Sequence, residues 1–318
     1  MNWIGTGRRG ALLALLVVLG ACRPIMTSPE VVVTIKPVHA LVAGVMEGVG
    51  EPALLMDGMV SPHTYQMRPS DARRLSGASL IFWTSPYVES TVPEMLAMLP
   101  TGARIVQMMD APGLELLPMR ESGIHGGAGE IDDPHEDHQR GDFDPHIWLD
   151  PANAIAMTEM IVAELSAADP NRETIYRQNG RAQVERLRAL DREIGRLLAP
   201  IAEIPFVTFH DAFQYFERAY GLNAVATVAL HADRAPGGRS VMALREFMAG
   251  HQVACLFAEP QFAPSLLETL IEGTPVRLGT LDPLGEVVPV GRGAYEGLVR
   301  GLAADLTACL IAGPQMAQ

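Results

Sequence analysis

Three histidines of this 318-residue chain occupy similar settings. His63 lies in SPHTYQM, in a turn beyond the apolar stretch ALLM. His146 lies in DFDPHIWLDP, between two Asp-Pro pairs and ahead of Ile-Trp-Leu, and His210 ends the run FVTF and begins DAFQYF. Asp282, in GTLDPLG, again follows a strand-like run. Three neutral imidazoles with a carboxylate or a water make a tetrahedral N/O shell at about 2.0–2.2 Å, which suits Zn²⁺. Mn²⁺ takes more oxygen donors, so an all-histidine trio points toward zinc. Spacing alone carries little weight for single ligands so far apart. A lone histidine beside an apolar run is more often a packed residue with its hydrogen bonds satisfied, and that reading stays open beside the shared site.

The elements that would position these side chains alternate along the chain. VVVTI (31–35), ALLM (53–56), SLIFW (79–83) and ARIVQM (103–108) are strand-like, with helical patterns such as HALVAGVMEGV between them. Ser70 is the expected N-cap of one helix, with Asp71 in its first turn. A helix is predicted from Pro151 to about Ala168. A second, from about Arg172 to Pro200, carries Val184, Leu187, Ile194, Leu197 and Leu198 at helical spacing. The alternation then resumes through FVTF (206–209), AVATVA (224–229), VACLFA (253–258) and VRLGTL (276–281), and ends in a helix from about Ala294 to Ala312. Alternating strands and helices predict an α/β fold with two lobes, each around a mainly parallel sheet, joined by the long charged helix. The expected boundaries are 22–170, 171–200 for the linking helix, and 201–318. Ligands of open parallel sheets bind beyond the carboxyl ends of strands, so a chain with His63 and His210 there, and His146 at the end of the loop 121–142, can gather the three around a single cleft.

Residues 121–142, ESGIHGGAGEIDDPHEDHQRGD, break the rhythm. The segment predicts a surface loop, and His125, His135 and His138 within it make either a weak, exposed secondary metal site or a solvated linker.

Composition narrows the function classes. A 48% hydrophobic, 19% charged chain is globular, and its length suits two domains. The formal charge of −13 argues against a nucleic-acid-binding surface, which needs clustered Lys and Arg. Arg8-Arg9 followed by ALLALLVVLGAC reads as an export signal, too short for a membrane span. Removing residues 1–21 takes away two arginines and no acid, which lowers −13 by two to −15. Leu19-Gly20-Ala21-Cys22 resembles a lipobox, with lipidation at Cys22 and ordinary cleavage nearby as the two readings. In an oxidising compartment the two remaining cysteines, Cys255 and Cys309, are expected to pair, at roughly 4 kcal/mol of stability.

The stretches VTIKPVHALVAGVMEGVGEP, SPHTYQMRPSDARRLSGASLIFW, FDPHIWLDP, VTFHDAFQYFERAYGL, FAEPQF and GTLDPLG, in this order over nearly the whole mature chain, resemble the zinc-binding proteins of bacterial ABC uptake systems, within the metal-binding cluster A-I family. The resemblance implies two α/β lobes joined by a rigid helix, with Zn²⁺ in the cleft and His63, His146 and His210 as ligands. It also implies a periplasmic, monomeric protein whose partner is an inner-membrane ABC permease, with a periplasmic zinc chaperone as a further candidate partner. Manganese-binding relatives typically carry Glu where this chain has His210. Two departures stand out. Pro62 occupies the position at which some zinc members have Glu, and Asp282 matches a carboxylate ligand of manganese relatives, so a ligand and a supporting role are both open for it. Glu259 in FAEPQF is a candidate for supporting a ligand, and His39 for a packed or surface role.

Two other functions are consistent with the residues. A manganese- or iron-specific binding protein would share the scaffold. An exported zinc hydrolase would need a water-activating base such as Glu259 or Asp282 and room for a substrate, and no HExxH or GxSxG motif is present. Metal capture requires deprotonated ligands, so affinity should fall as pH drops through the imidazole range, near about 6.5.

Overall fold

Two four-stranded parallel sheets carry the molecule, and both have the same strand order. The computed structural model describes residues 1, 29–58, 60–98, 102–120, 123–125, 143–229, 237–262 and 265–312. Cys22, His135, His138 and His231 lie outside them.

In the first sheet β1 (Val31–Val33) is flanked by β2 (Ala53–Leu54) and β3 (Leu80–Trp83), and β4 (Arg104–Gln107) completes the order β2-β1-β3-β4. In the second, β5 (Phe206–His210), β6 (Ala224–Ala229), β7 (Cys255–Ala258) and β8 (Arg277–Thr280) repeat it as β6-β5-β7-β8. Every residue of β1, β3, β5 and β7 is buried, as expected of parallel strands covered on both faces, whereas the edge strand β8 is only half-buried or exposed. Each sheet reverses its winding next to its first strand. The crevice at such a switch point is where open α/β sheets bind ligands.

Helix α1 (Lys36–Val45) follows β1 with Pro37 in its first turn, where the missing N–H costs nothing. Helix α2 (Pro69–Gly77) differs from expectation at its start. Pro69 takes the first helical position, so Ser70 lies inside the helix and the N-cap is Arg68, whose backbone N–H donates to Asp71 Oδ2 at 2.8 Å. Helix α3 (Val92–Met98) precedes β4, and α4 (Pro151–Ala168) is capped by Asp150, whose carboxylate accepts from the Ala152 N–H at 2.7 Å. The linking helix α5 (Glu173–Leu198) buries Tyr176, Val184, Leu187, Leu190, Ile194 and Leu198 along one stripe. Leu197 falls off it and is 43% exposed. In the second half, α6 (Gln214–Tyr220), α7 (Gly238–Gly250) and α8 (Ser265–Ile271) surround the sheet. Helix α9 (Ala294–Ile311) returns to pack on both α1 and α5.

The main apolar core therefore runs through both lobes, from Val31 and Phe82 to Phe216, Phe257 and Leu306. Polar ties reinforce it. The Lys36 ammonium, buried in the first lobe, donates to Gly285 O at 3.1 Å and Glu286 O at 2.9 Å in the second. Trp148 Nε1 donates to Pro283 O at 2.7 Å. Tyr215 Oη accepts from Leu117 N–H at 3.1 Å and donates to Asp144 O at 2.8 Å. Residues 123–125, grouped by sequence with the first lobe, reach the second sheet, where Ile124 bridges Ala226.

Cys255 and Cys309 are disulfide-bonded and tie β7 to α9 across a separation of 54 residues. Replacing both by serine should cost about 4 kcal/mol from the loss of loop closure in the unfolded chain. Chemical denaturation of the oxidised protein against the double variant checks this. An unchanged midpoint would show that the crosslink contributes nothing.

Candidate metal centre

Each of the three histidines enters from a different element. His63 occupies a single 3₁₀ turn, Pro62–Thr64, and is half-buried; its carbonyl accepts from the Ser90 hydroxyl at 3.3 Å. His146 stands just before the turn Ile147–Leu149 and is buried. His210 is the last residue of β5, at the switch point of the second sheet, also buried.

The orientation of two of the rings is fixed from behind. Asp144 Oδ1 accepts from the His146 backbone N–H at 3.0 Å and from its Nδ1–H at 2.8 Å. Glu259 Oε1, just after β7, accepts from the His210 backbone N–H at 3.2 Å and from its Nδ1–H at 2.5 Å. A carboxylate on Nδ1 selects the tautomer with a bare Nε2 and raises its basicity, the usual support of a metal-binding histidine. The two Nε2 atoms then face each other at 3.4 Å. Two bare lone pairs at that distance repel unless a cation or a proton lies between them. Two nitrogens about 2.0–2.1 Å from one ion at the tetrahedral angle stand about 3.3–3.4 Å apart, so the gap has the size of a zinc site.

The third ring completes the group. The His63 centroid lies 5.5 Å from that of His146 and 5.7 Å from that of His210. One ring nitrogen from each residue falls within 4.8 Å of the others, and among the described residues no other cluster of potential ligands does the same. The cavity between them, lined also by Trp148, Pro283 and Leu284, measures about 10 Å³. That is room for one ion or one water, against the several hundred Å³ of an organic ligand's pocket.

Burial sets the protonation. It holds His146 neutral well below the ordinary imidazole range, and the neighbouring His210 pushes it further down. Burial also pulls His210 down, but the Glu259 carboxylate outweighs it and leaves the group raised.

Asp282 and His125, both candidate ligands by sequence, are held by other contacts, and His39 packs as expected. Asp282 is not part of the three-histidine group. Its Oδ1 accepts from the N–H groups of Leu284 and Gly285, both at 3.0 Å, and Oδ2 from Glu286 at 2.5 Å. The carboxylate is spent on folding a tight loop whose Gly285 has φ +68°, a conformation glycine adopts freely. His125 is docked rather than free: its Nδ1–H donates to Ala224 O at 3.0 Å and its Nε2 accepts from Arg120 at 3.3 Å. Burial, then the Arg120 charge, lower its pKa. His39 has the packed role, buried with Nε2 donating to Pro52 O at 2.9 Å.

Sequence reasoning passed over Asp144 and Arg120. For Asp144 the signal was present, an acid two residues before a histidine in DPH. Arg120 pairs with Asp211 at 2.7 Å and Glu217 at 2.5 Å, and nothing local announces it, because its partners lie far along the chain.

Residues 31–309 match the family ZnuA, described as zinc-uptake complex component A, periplasmic. This chain belongs to that family. It is 37% identical over 304 residues to the high-affinity zinc uptake system protein ZnuA of Brucella abortus (strain 2308), covering 88% of this chain and 91% of that protein. Among solved structures, a zinc-bound ZnuA lacking residues 138–173 superposes with a TM-score of 0.74 at 22% identity, covering 90% and 100% of the two chains. The periplasmic zinc-binding protein TroA from Treponema pallidum gives 0.73 at 23%, covering 89% and 99%. ZnuA membership and two such neighbours agree with the twin sheets and linking helix seen here.

Replacing Glu259 by glutamine, or Asp144 by asparagine, should lower zinc affinity about 10–100-fold, the usual cost of losing a ligand's support. Competition titration against a chelator measures it. Unchanged affinity in both would mean that the rings need no carboxylate behind them.

Proposed function

We propose that this protein captures Zn²⁺ outside the inner membrane and delivers it to the permease of an ABC importer, with His63, His146 and His210 as ligands. One observation carries the reading: three ring nitrogens within 4.8 Å converge on an ion-sized cavity, two of them backed by buried carboxylates. The N-terminal signal pattern and the family's periplasmic description support export.

A hydrolase is disfavoured on the same geometry. Both carboxylates nearest the rings are bound to imidazole N–H groups, and a cavity of about 10 Å³ has no space for a substrate. A manganese or iron role is disfavoured by the nitrogen-rich donor set, His210 included.

The purified mature protein should carry one equivalent of zinc by elemental analysis, with imidazole scattering in its X-ray absorption spectrum. Preferential retention of manganese or iron, or an absorption edge without imidazole, would overturn the reading.

A further inference from the structure

Three imidazoles leave one corner of a tetrahedral zinc to fill, and the cavity has little space beyond the ion itself. A donor from the lining can then take that corner in place of a water. Trp148 is committed to Pro283 O. Glu259 is committed through Oε1 to the His210 Nδ1–H and backbone N–H, behind the ring rather than at its Nε2. Two polar side chains of the lining remain, Ser61 and Gln261.

Gln261 is the one held in a defined orientation. Its Nε2 donates to Asp282 Oδ1 at 3.2 Å. Asp282 is acceptor-only here, taking three backbone N–H groups besides, so the amide must turn its NH₂ toward it and its carbonyl away. The resulting Oε1 is buried and finds no hydrogen-bond donor among the described residues. A buried carbonyl oxygen without a donor is costly, and the cost disappears if the oxygen meets a cation.

We propose that Gln261 Oε1 supplies the fourth donor to the zinc, and that Asp282 acts one step back by aiming it. The inference rests on the three-histidine reading above. It assigns Asp282 a positioning role in place of direct ligation, and it makes residue 261 a determinant of metal choice: a neutral oxygen beside three nitrogens keeps the site suited to zinc, whereas a carboxylate there would shift it toward manganese.

Co²⁺ in place of zinc gives an optical reading of the shell. With Gln261 bound, the visible bands should not change between pH 7 and 9. In Gln261→Leu a solvent water takes the corner, and metal-bound water in protein sites ionises near about pH 7, so the bands should titrate. Zinc affinity should drop about tenfold or more in the same variant. Gln261→Glu retains an oxygen and covers the case in which the leucine variant fails to fold. It should show no titration and a raised Mn²⁺-to-Zn²⁺ affinity ratio. The proposal is overturned if the unsubstituted protein already titrates, if Gln261→Leu matches it in bands and affinity, or if Ser61→Ala introduces the titration instead. His63→Ala, measured alongside, separates the two levels. Unchanged bands and affinity in that variant sink the three-histidine reading, whereas their loss there with an indifferent Gln261→Leu sinks only the role of Gln261.

Discussion

Replacing His63 by alanine is expected to weaken zinc binding by about a hundredfold or more while leaving the metal-free fold intact. Structural zinc sites bind with about 10–16 kcal/mol shared among four ligands, or about 3 kcal/mol each, and 1.4 kcal/mol is a factor of ten. His63 is the cleanest of the three to remove, because it is half-buried on a single turn. His146 and His210 are buried, and their loss takes the imidazole N–H from Asp144 and Glu259 and leaves each only the backbone N–H, so alanine there should cost both affinity and stability. Thermal unfolding with and without zinc tells the two apart. A ligand at a thousand times its dissociation constant stabilises by about 4.1 kcal/mol, and at the same zinc concentration a hundredfold weaker His63→Ala should keep only about 1.4 kcal/mol of this increment. Wild-type affinity in all three variants would move the binding site elsewhere.

Replacing Arg120 by methionine is expected to destabilise the protein by about 3–5 kcal/mol, because it leaves Asp211 and Glu217 buried without their cation. The loss should depend on pH in a specific direction. Burial raises the Glu217 carboxyl to about 7, against the pull of Arg120. An acid whose folded pKa exceeds its unfolded value binds more protons when folded, so its contribution to stability is largest at low pH and is lost as pH rises through 7. Without Arg120 the charged form of Glu217 is less tolerable still. The deficit of Arg120→Met should therefore be large at pH 8 and shrink toward pH 5.5. Urea denaturation at the two values decides it, and a deficit independent of pH would show that Glu217 does not depend on the guanidinium. The consequence reaches the site, since Asp211 adjoins His210, and Arg120 also donates to His125, next to the bridge between Ile124 and Ala226.

Local signals carried much of this fold. Val31–Val33, Leu80–Trp83 and Cys255–Ala258 are apolar runs because both faces of a parallel strand are covered, and they were legible as buried strands on that ground. The 3.6-residue stripe of Glu173–Leu198 declared a helix with one apolar face, and its charged remainder marked it as the connector. Cysteine arithmetic in an exported chain anticipated the Cys255–Cys309 bond. The repeated strand order of the two sheets was not legible, because the halves share a winding and no sequence periodicity.

The sequence by itself determined the residue types: three imidazoles at strand ends and turns, acids within reach of them, and alternating elements to place them. Only the tertiary structure decided their partners. Asp282 was open to a ligand or a supporting role by sequence and serves a loop, because backbone N–H groups within four residues claim its oxygens first. Asp144, Glu259 and Arg120 acquire their roles through contacts whose energy depends on distance in space. A hydrogen bond or an ion pair acts over a few ångströms, and the fold alone determines which distant residues come that close.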